Sequence, residues 1–262
     1  MPQLRPLTTV STHVNLVPDM TGLSARQTQI LKALIDEYIE TAEPAGSLAL
    51  EKKYSLGISP ATIRNEMANL TRMGYLRQPH TSAGRVPSPA AMKFYISQLM
   101  EEKEVGIVDE VKVKEDLKEQ KNNFADVMEE ATEALADQTH SLAIITTSDG
   151  EIWKAGFSNM YESPEFFAAP LVCKSVFSLL EEPKTLHQLF FERLTGLSPI
   201  EVLFGEEFDW PYFAPVGVVA SRFSASGKSG AIGVFGPFGL NYSSVIPVVR
   251  GVKEAIEEVL SK

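Results

Sequence analysis

Between Ser59 and Gly74 both ends of one helix are written into the sequence. Ser59 is a preferred N-cap, and Pro60 at the first helical position costs nothing, because that N–H would have no partner anyway. Gly74 is a stop signal, since glycine takes up the left-handed turn that closes a helix. Ile63, Met67 and Leu70 recur at i, i+4 and i+7, so that face turns inward. At about 100° per residue, Ala61, Asn65, Ala68 and Arg72 point the opposite way. Thr62 and Asn69 lie on one shoulder of this face and Arg64 on the other. An outer face so short and polar suits a helix lying deep in a DNA major groove, where asparagine pairs with adenine and alanine or threonine touches a thymine methyl.

The neighbouring segments complete a recognisable order. Upstream, Ser24-Ala25-Arg26-Gln27 fits a capping box, and Ile30, Leu31, Leu34, Ile35 and Tyr38 follow at helical spacing. Pro44 and Gly46 interrupt, and a second helix is expected over about Ser47–Tyr54, with Leu48 and Leu50 available for the core. Downstream, Tyr75–Gln78 reads as a strand, Pro79–Gly84 as a polar loop, and Arg85-Val86 as the returning strand. Three helices and then a hairpin predict a winged helix-turn-helix. Lys93–Ile96 is expected to pack the next helix onto this domain. The candidate DNA-contacting residues are Ser59, Ala61, Thr62, Arg64, Asn65, Asn69 and Arg72 around the third helix, with His80, Thr81, Ser82 and Arg85 in the wing. Arg85 is placed to enter a minor groove, where negative potential favours arginine. Gly84 is expected to need a positive φ.

Charge first argues against a nucleic-acid partner, because the chain of 262 residues carries a formal net charge of −10. Its distribution points the other way. Residues 1–102 hold 10 Lys/Arg against 9 Asp/Glu, and Tyr54–Lys93 holds five basic residues against one acid, Glu66. Phosphate attraction is local, since charges are screened beyond about 8–10 Å. The acidic excess belongs to the second half.

There, Leu117, Phe124, Met128, Ala131 and Leu135 lie at helical spacing in a highly charged stretch, which predicts a linker helix over 103–140. A paired linker would bury these residues between two copies; the alternative is a helix lying on its own domain. Leu142–Thr147, an Asp149-Gly150 turn and Glu151–Ala155 predict a hairpin. Helices are expected near Glu165–Leu180 and Lys184–Leu194. Strands follow at Ile200–Phe204, Tyr212–Phe223 and Ala231–Phe235, the last two separated by a flexible 224–230 loop. Val245, Val249, Val252, Ile256 and Val259 mark a C-terminal helix assigned mainly to covering the sheet. The expected class is α+β: a disordered arm over 1–22, a winged helix over 23–102, the linker over 103–140, and an α+β domain over 141–262.

Nothing points to an enzyme. The four histidines, His13, His80, His140 and His187, lack metal-ligand spacing, so no metal is expected. Gly227-Lys228-Ser229 lacks the upstream glycine of a phosphate-binding loop. Cys173 sits among Val172 and Val176 as a core thiol. No cofactor is expected, and no membrane association, because no apolar run reaches the roughly 18 residues a span requires. The first twenty residues do not read as a signal peptide, so the expected location is the cytoplasm.

Longer motifs carry a resemblance. Leu23–Gln27, Glu37–Thr41, Glu43–Ser47, Ser59–Met67 and Gly74–Pro87 resemble the heat-inducible transcription repressor family HrcA. So do Gly156-Phe157-Ser158-Asn159, Pro164-Glu165-Phe166, Ile232–Pro237, Tyr242 and Val245-Ile246-Pro247. The resemblance implies a GAF-like second domain, an inverted-repeat operator in double-stranded DNA, a homodimer, chaperone genes as targets, and activity maintained by the GroEL chaperonin. Family members carry more sequence, including a dimerising insert, between the first strand of that domain and Gly156. This chain passes almost directly from one to the other. A small-molecule-sensing winged-helix regulator is the alternative: a hydrophobic pocket with converging polar groups in the second domain would favour it, and a filled core would favour protein sensing.

Overall fold

A computed structural model describes residues 22–103, 107–208 and 210–261, with 107–110 as backbone alone. It divides into two units, Met1–Met100 and Glu101–Lys262. The arm expected over 1–22 lies, except for Gly22, outside the described residues.

In the first unit α1 (Ala25–Thr41), α2 (Ser47–Tyr54) and α3 (Pro60–Arg72) precede β1 (Leu76–Arg77), β2 (Val86–Pro87) and α4 (Pro89–Phe94), with a π-helical turn over Tyr95–Leu99. The Ser24 box forms in full: the Ser24 hydroxyl accepts from the Gln27 N–H, and the Gln27 side chain accepts from the Ser24 N–H. Ile30, Leu31, Leu34 and Ile35 of α1 meet Leu50, Ile63, Met67 and Leu70 in the core. Leu48 departs from expectation. It is 66% exposed, because the short α2 turns Leu50 inward and leaves Leu48 on its outer side. Phe94 and Tyr95 are buried as expected, and the Tyr95 hydroxyl donates to Asp36 at 2.6 Å. Lys53 lies 2.7 Å from both Glu37 and Glu40, and Lys32 lies 2.7 Å from Asp36. The acids of α1 are thus matched by lysines of the same unit.

The second unit is an antiparallel sheet of five strands, in the order β4 (Ile152–Ala155), β3 (Leu142–Thr147), β7 (Lys228–Pro237), β6 (Val216–Ala225), β5 (Glu201–Phe204). On one face pack α5 (Ile107–Glu119), α6 (Phe124–Thr139) and α11 (Tyr242–Leu260). The other face, through Leu142, Ile144, Val218 and Phe235, joins a core with α8 (Pro164–Phe167), α9 (Pro170–Leu180), α10 (Pro183–His187) and the π-helical Gln188–Arg193. α7 (Phe157–Glu162) follows β4 directly. Cys173 is buried in that core, which pushes its thiol pKa up.

Three expectations are corrected here. The linker helix over 103–140 is two helices, broken where Asn123 caps α6 by accepting from the Ala125 N–H. Leu117, Met128, Ala131 and Leu135 are fully buried within this unit, so they are not available as a seam between two copies. The long loop over 224–230 is two residues: Ser224 pairs with Ser229 and Ala225 with Lys228. Ser226 and Gly227 both have positive φ, the twist a two-residue hairpin turn requires.

Candidate nucleic-acid interface

The scaffold of α3 is set locally. Ser59 accepts from the Thr62 N–H at 3.2 Å, with Pro60 at the first position. At the other end, the Gly74 N–H donates to Thr71 and the Tyr75 N–H to Leu70 at 2.9 Å. This is a Schellman closure, and it needs the left-handed Gly74 at φ +83°. Tyr75 and Leu76 then run into the core, so the wing starts from a fixed point.

Only Ile63, Met67 and Leu70 of α3 are buried. Ala61, Arg64, Asn65, Ala68 and Arg72 are exposed, and Thr62 and Asn69 are half-exposed on their shoulder. The structure therefore brings the helical candidates onto one continuous face. Their chemistry differs along it. Among the described residues, no hydrogen bond or ion pair engages the side chains of Arg64 or Asn65. Asn69 is committed: its amide donates to Glu66 at 3.2 Å and its carbonyl accepts from Arg72. Glu66 also accepts from Gln27 at 3.1 Å and lies 4.0 Å from Arg26.

The wing is β1 and β2 joined by a loop that Gln78 braces from inside, donating to the carbonyls of Thr81 at 2.8 Å and Ala83 at 3.1 Å. His80, Thr81 and Ser82 are exposed at its tip, with the His80 ring 3.2 Å from the Ser82 hydroxyl. Arg85 is not at the tip. It is half-buried at the base, where its Nε donates to the Thr71 hydroxyl at 3.2 Å. Gly84 does not have a positive φ; its requirement is close approach. A Cβ there would stand 2.3 Å from the Ala45 carbonyl oxygen, since Ala45 and Arg85 exchange backbone hydrogen bonds of 2.9 and 2.8 Å. Gln78 and Glu66 were invisible to sequence reasoning. Glutamine and glutamate are ordinary surface residues until their partners are known, and Gln27 is 39 positions from Glu66.

Comparison with known proteins settles the kinship. The profile of the HrcA protein C-terminal domain matches residues 89–246, more than half of the chain. The chain belongs to the HrcA family. The heat-inducible transcription repressor HrcA of Desulforudis audaxviator is 25% identical over 341 positions, covering 92% of this chain and 99% of that one. Since 341 positions exceed the 262 residues here, that relative carries residues with no counterpart, and this chain is a shortened HrcA. The Carboxydothermus hydrogenoformans repressor HrcA is 42% identical over 127 residues, which cover 48% of this chain but 37% of the relative. A hypothetical protein of known crystal structure shares the fold, with a TM-score of 0.70 at 18% identity, over 91% of this chain and 99% of its own. HrcA relatives are heat-inducible transcription repressors. Among the described residues, no helix is long and apolar enough to cross a membrane.

Proposed function

We propose that this chain is a DNA-binding repressor of heat-shock genes, in which residues 22–100 act as a winged helix-turn-helix on an inverted-repeat operator. The observation that carries this reading is the outer face of α3: exposed, mostly short-chained, and holding Asn65 and Arg64 without side-chain partners among the described residues. A helix face built for packing against protein would carry apolar side chains there. A face built for a groove needs small residues, one amide and flanking cations. Arg64 and Arg72 flank the amide as phosphate contacts, and the wing tip at His80, Thr81 and Ser82 contacts the backbone beside it.

The second unit acts as the GAF-like sensing domain, and its state is set by a protein, the chaperonin that the family resemblance implies. Its core is filled by Phe190, Phe204, Phe213 and Phe235, all fully buried, which supports protein sensing over a small-molecule ligand. An inverted repeat calls for two-fold symmetry, so the repressor works as a homodimer. The linker residues are spent inside their own unit. Phe157, Tyr161, Phe167 and Leu171 of α7–α9 remain exposed and offer apolar surface to a second copy.

Footprinting on the chain's own upstream DNA and on a chaperonin promoter tests this. Asn65→Ala is expected to weaken specific binding by about 1–3 kcal/mol while sparing random duplex. Equal loss on both would show that Asn65 does not read bases. Light scattering that returns a monomer at micromolar concentration would remove the dimer.

A further inference from the structure

The two asparagines on the outer side of α3 are not equivalent, and this difference rests on the DNA-binding reading of that helix. Bidentate reading of adenine needs both halves of an amide at once, the N–H₂ as donor and the carbonyl as acceptor. Each half of Asn69 already holds one partner, the donor Glu66 and the acceptor Arg72, so the amide is fixed in orientation by its own helix before any base could meet it. Glu66 is itself anchored from α1, where Gln27 is held by its role in the Ser24 capping box and donates its remaining amide group to the same carboxylate oxygen. Asn65, four residues from Asn69 and fully on the exposed face, has neither half engaged among the described residues.

We infer that Asn65 is the base-reading amide of this repressor, and that Glu66 is a positioning residue which pins Asn69 so that Asn69 aims Arg72 at the phosphate backbone. The lone acid of the 54–93 stretch thereby has a use. A carboxylate on a DNA-facing helix repels phosphate, and here it lies half-buried behind Asn69 and beside Arg26, turned to hold groups rather than to meet DNA. The chain Gln27–Glu66–Asn69–Arg72 makes the register of the arginine depend on the start of α1.

The test is selection from a pool of duplexes with a randomised centre of about 30 base pairs, enough for two half-sites one or two helical turns apart, using the full chain and four variants. Asn65→Ala is expected to lose a base preference at one position per half-site, by roughly tenfold or more. Asn69→Ala is expected to keep the parent's consensus and bind every duplex a few-fold more weakly, with a shallower salt dependence. Glu66→Leu releases the Asn69 amide and is expected to change the consensus at a neighbouring position, whereas Glu66→Gln, which keeps an acceptor, restores it. If Asn69→Ala erases a base preference as Asn65→Ala does, the assignment is overturned. An unchanged consensus in a folded Glu66→Leu overturns the positioning role; if that variant does not fold, Asn69→Ala still decides the base-reading assignment, and a Glu66→Gln that changes the consensus overturns the positioning role. A parent that enriches no sequence would instead bring down the DNA-binding reading itself, and this inference with it.

Discussion

α3 and α11 are both amphipathic helices with a valine-, isoleucine- or leucine-rich stripe, yet they end in opposite situations. α3 buries three of its 13 residues and leaves its outer face in solvent. α11 buries ten of 19, including Pro247, because it lies on the sheet against β6 and also packs against α5 and α6. A helix covered on two sides reports how a core is filled. A helix covered on one side, with short polar residues on the other, has been left bare for something else. Counting apolar positions does not separate the two cases. What separates them is the kind of residue on the second face: Val248 and Ala255 in α11, Asn65 and Ala68 in α3.

The contrast breaks most visibly at Ile256, which is fully buried in α11. Ile256→Ala is expected to lower the unfolding free energy by about 2–5 kcal/mol in urea titrations, with the affinity of the folded fraction for DNA unchanged. A loss below about 1 kcal/mol would mean that α11 is covered less tightly than its burial implies. The bare side is pressed through the wing. Gly84→Ala places a methyl against the Ala45 carbonyl, and overpacking against backbone costs about 1–3 kcal/mol. Weaker binding to all duplexes should accompany it, because β1 and β2 would shift together. Full affinity at unchanged melting temperature would show that the strands part easily.

The smallest effect sharpens the comparison on the covered side. Glu130 of α6 is held above the usual carboxylate range by burial, and then by the nearby charges of Asp116, Glu133 and Glu119. A carboxylate with a raised folded-state pKa favours folding while protonated, and that contribution is lost as pH rises through and just above the ordinary carboxylate value. Glu130→Gln is therefore expected to flatten the fall in stability as pH rises through and just above the ordinary carboxylate value, and to gain within about 0.5 kcal/mol at neutral pH. A steeper pH dependence in the variant would contradict the burial of that carboxylate.

Local chemistry explains what could be read beforehand. The Ser24 and Ser59 caps, the Gly74 stop and the Asp149-Gly150 turn each depend on residues within a few positions of one another, and each stands where expected. The departures lie where one residue type serves two local roles. Asn123 looked like one more polar residue in a charged stretch, although an asparagine is also a preferred N-cap. Ser226-Gly227 looked like part of a flexible loop, because small polar residues serve both a loop and a positive-φ turn. The face of α3 was legible from its period. The commitment of Asn69 was not, since spacing of three to Glu66 and Arg72 permits those bonds without requiring them, and the glutamine that anchors Glu66 lies in another helix.

Ala45 joins Arg85 by two backbone hydrogen bonds at the foot of the wing, while among the described residues the hydrogen bonds of the tip at His80–Ser82 run to Gln78, to Ala83 and within itself. The hairpin is thus clamped at one end and open at the other. Lengthening or shortening the open end changes how far it reaches without disturbing the clamp. A lineage could retune this protein to a new site by inserting or deleting residues at 80–82, leaving the three helices untouched.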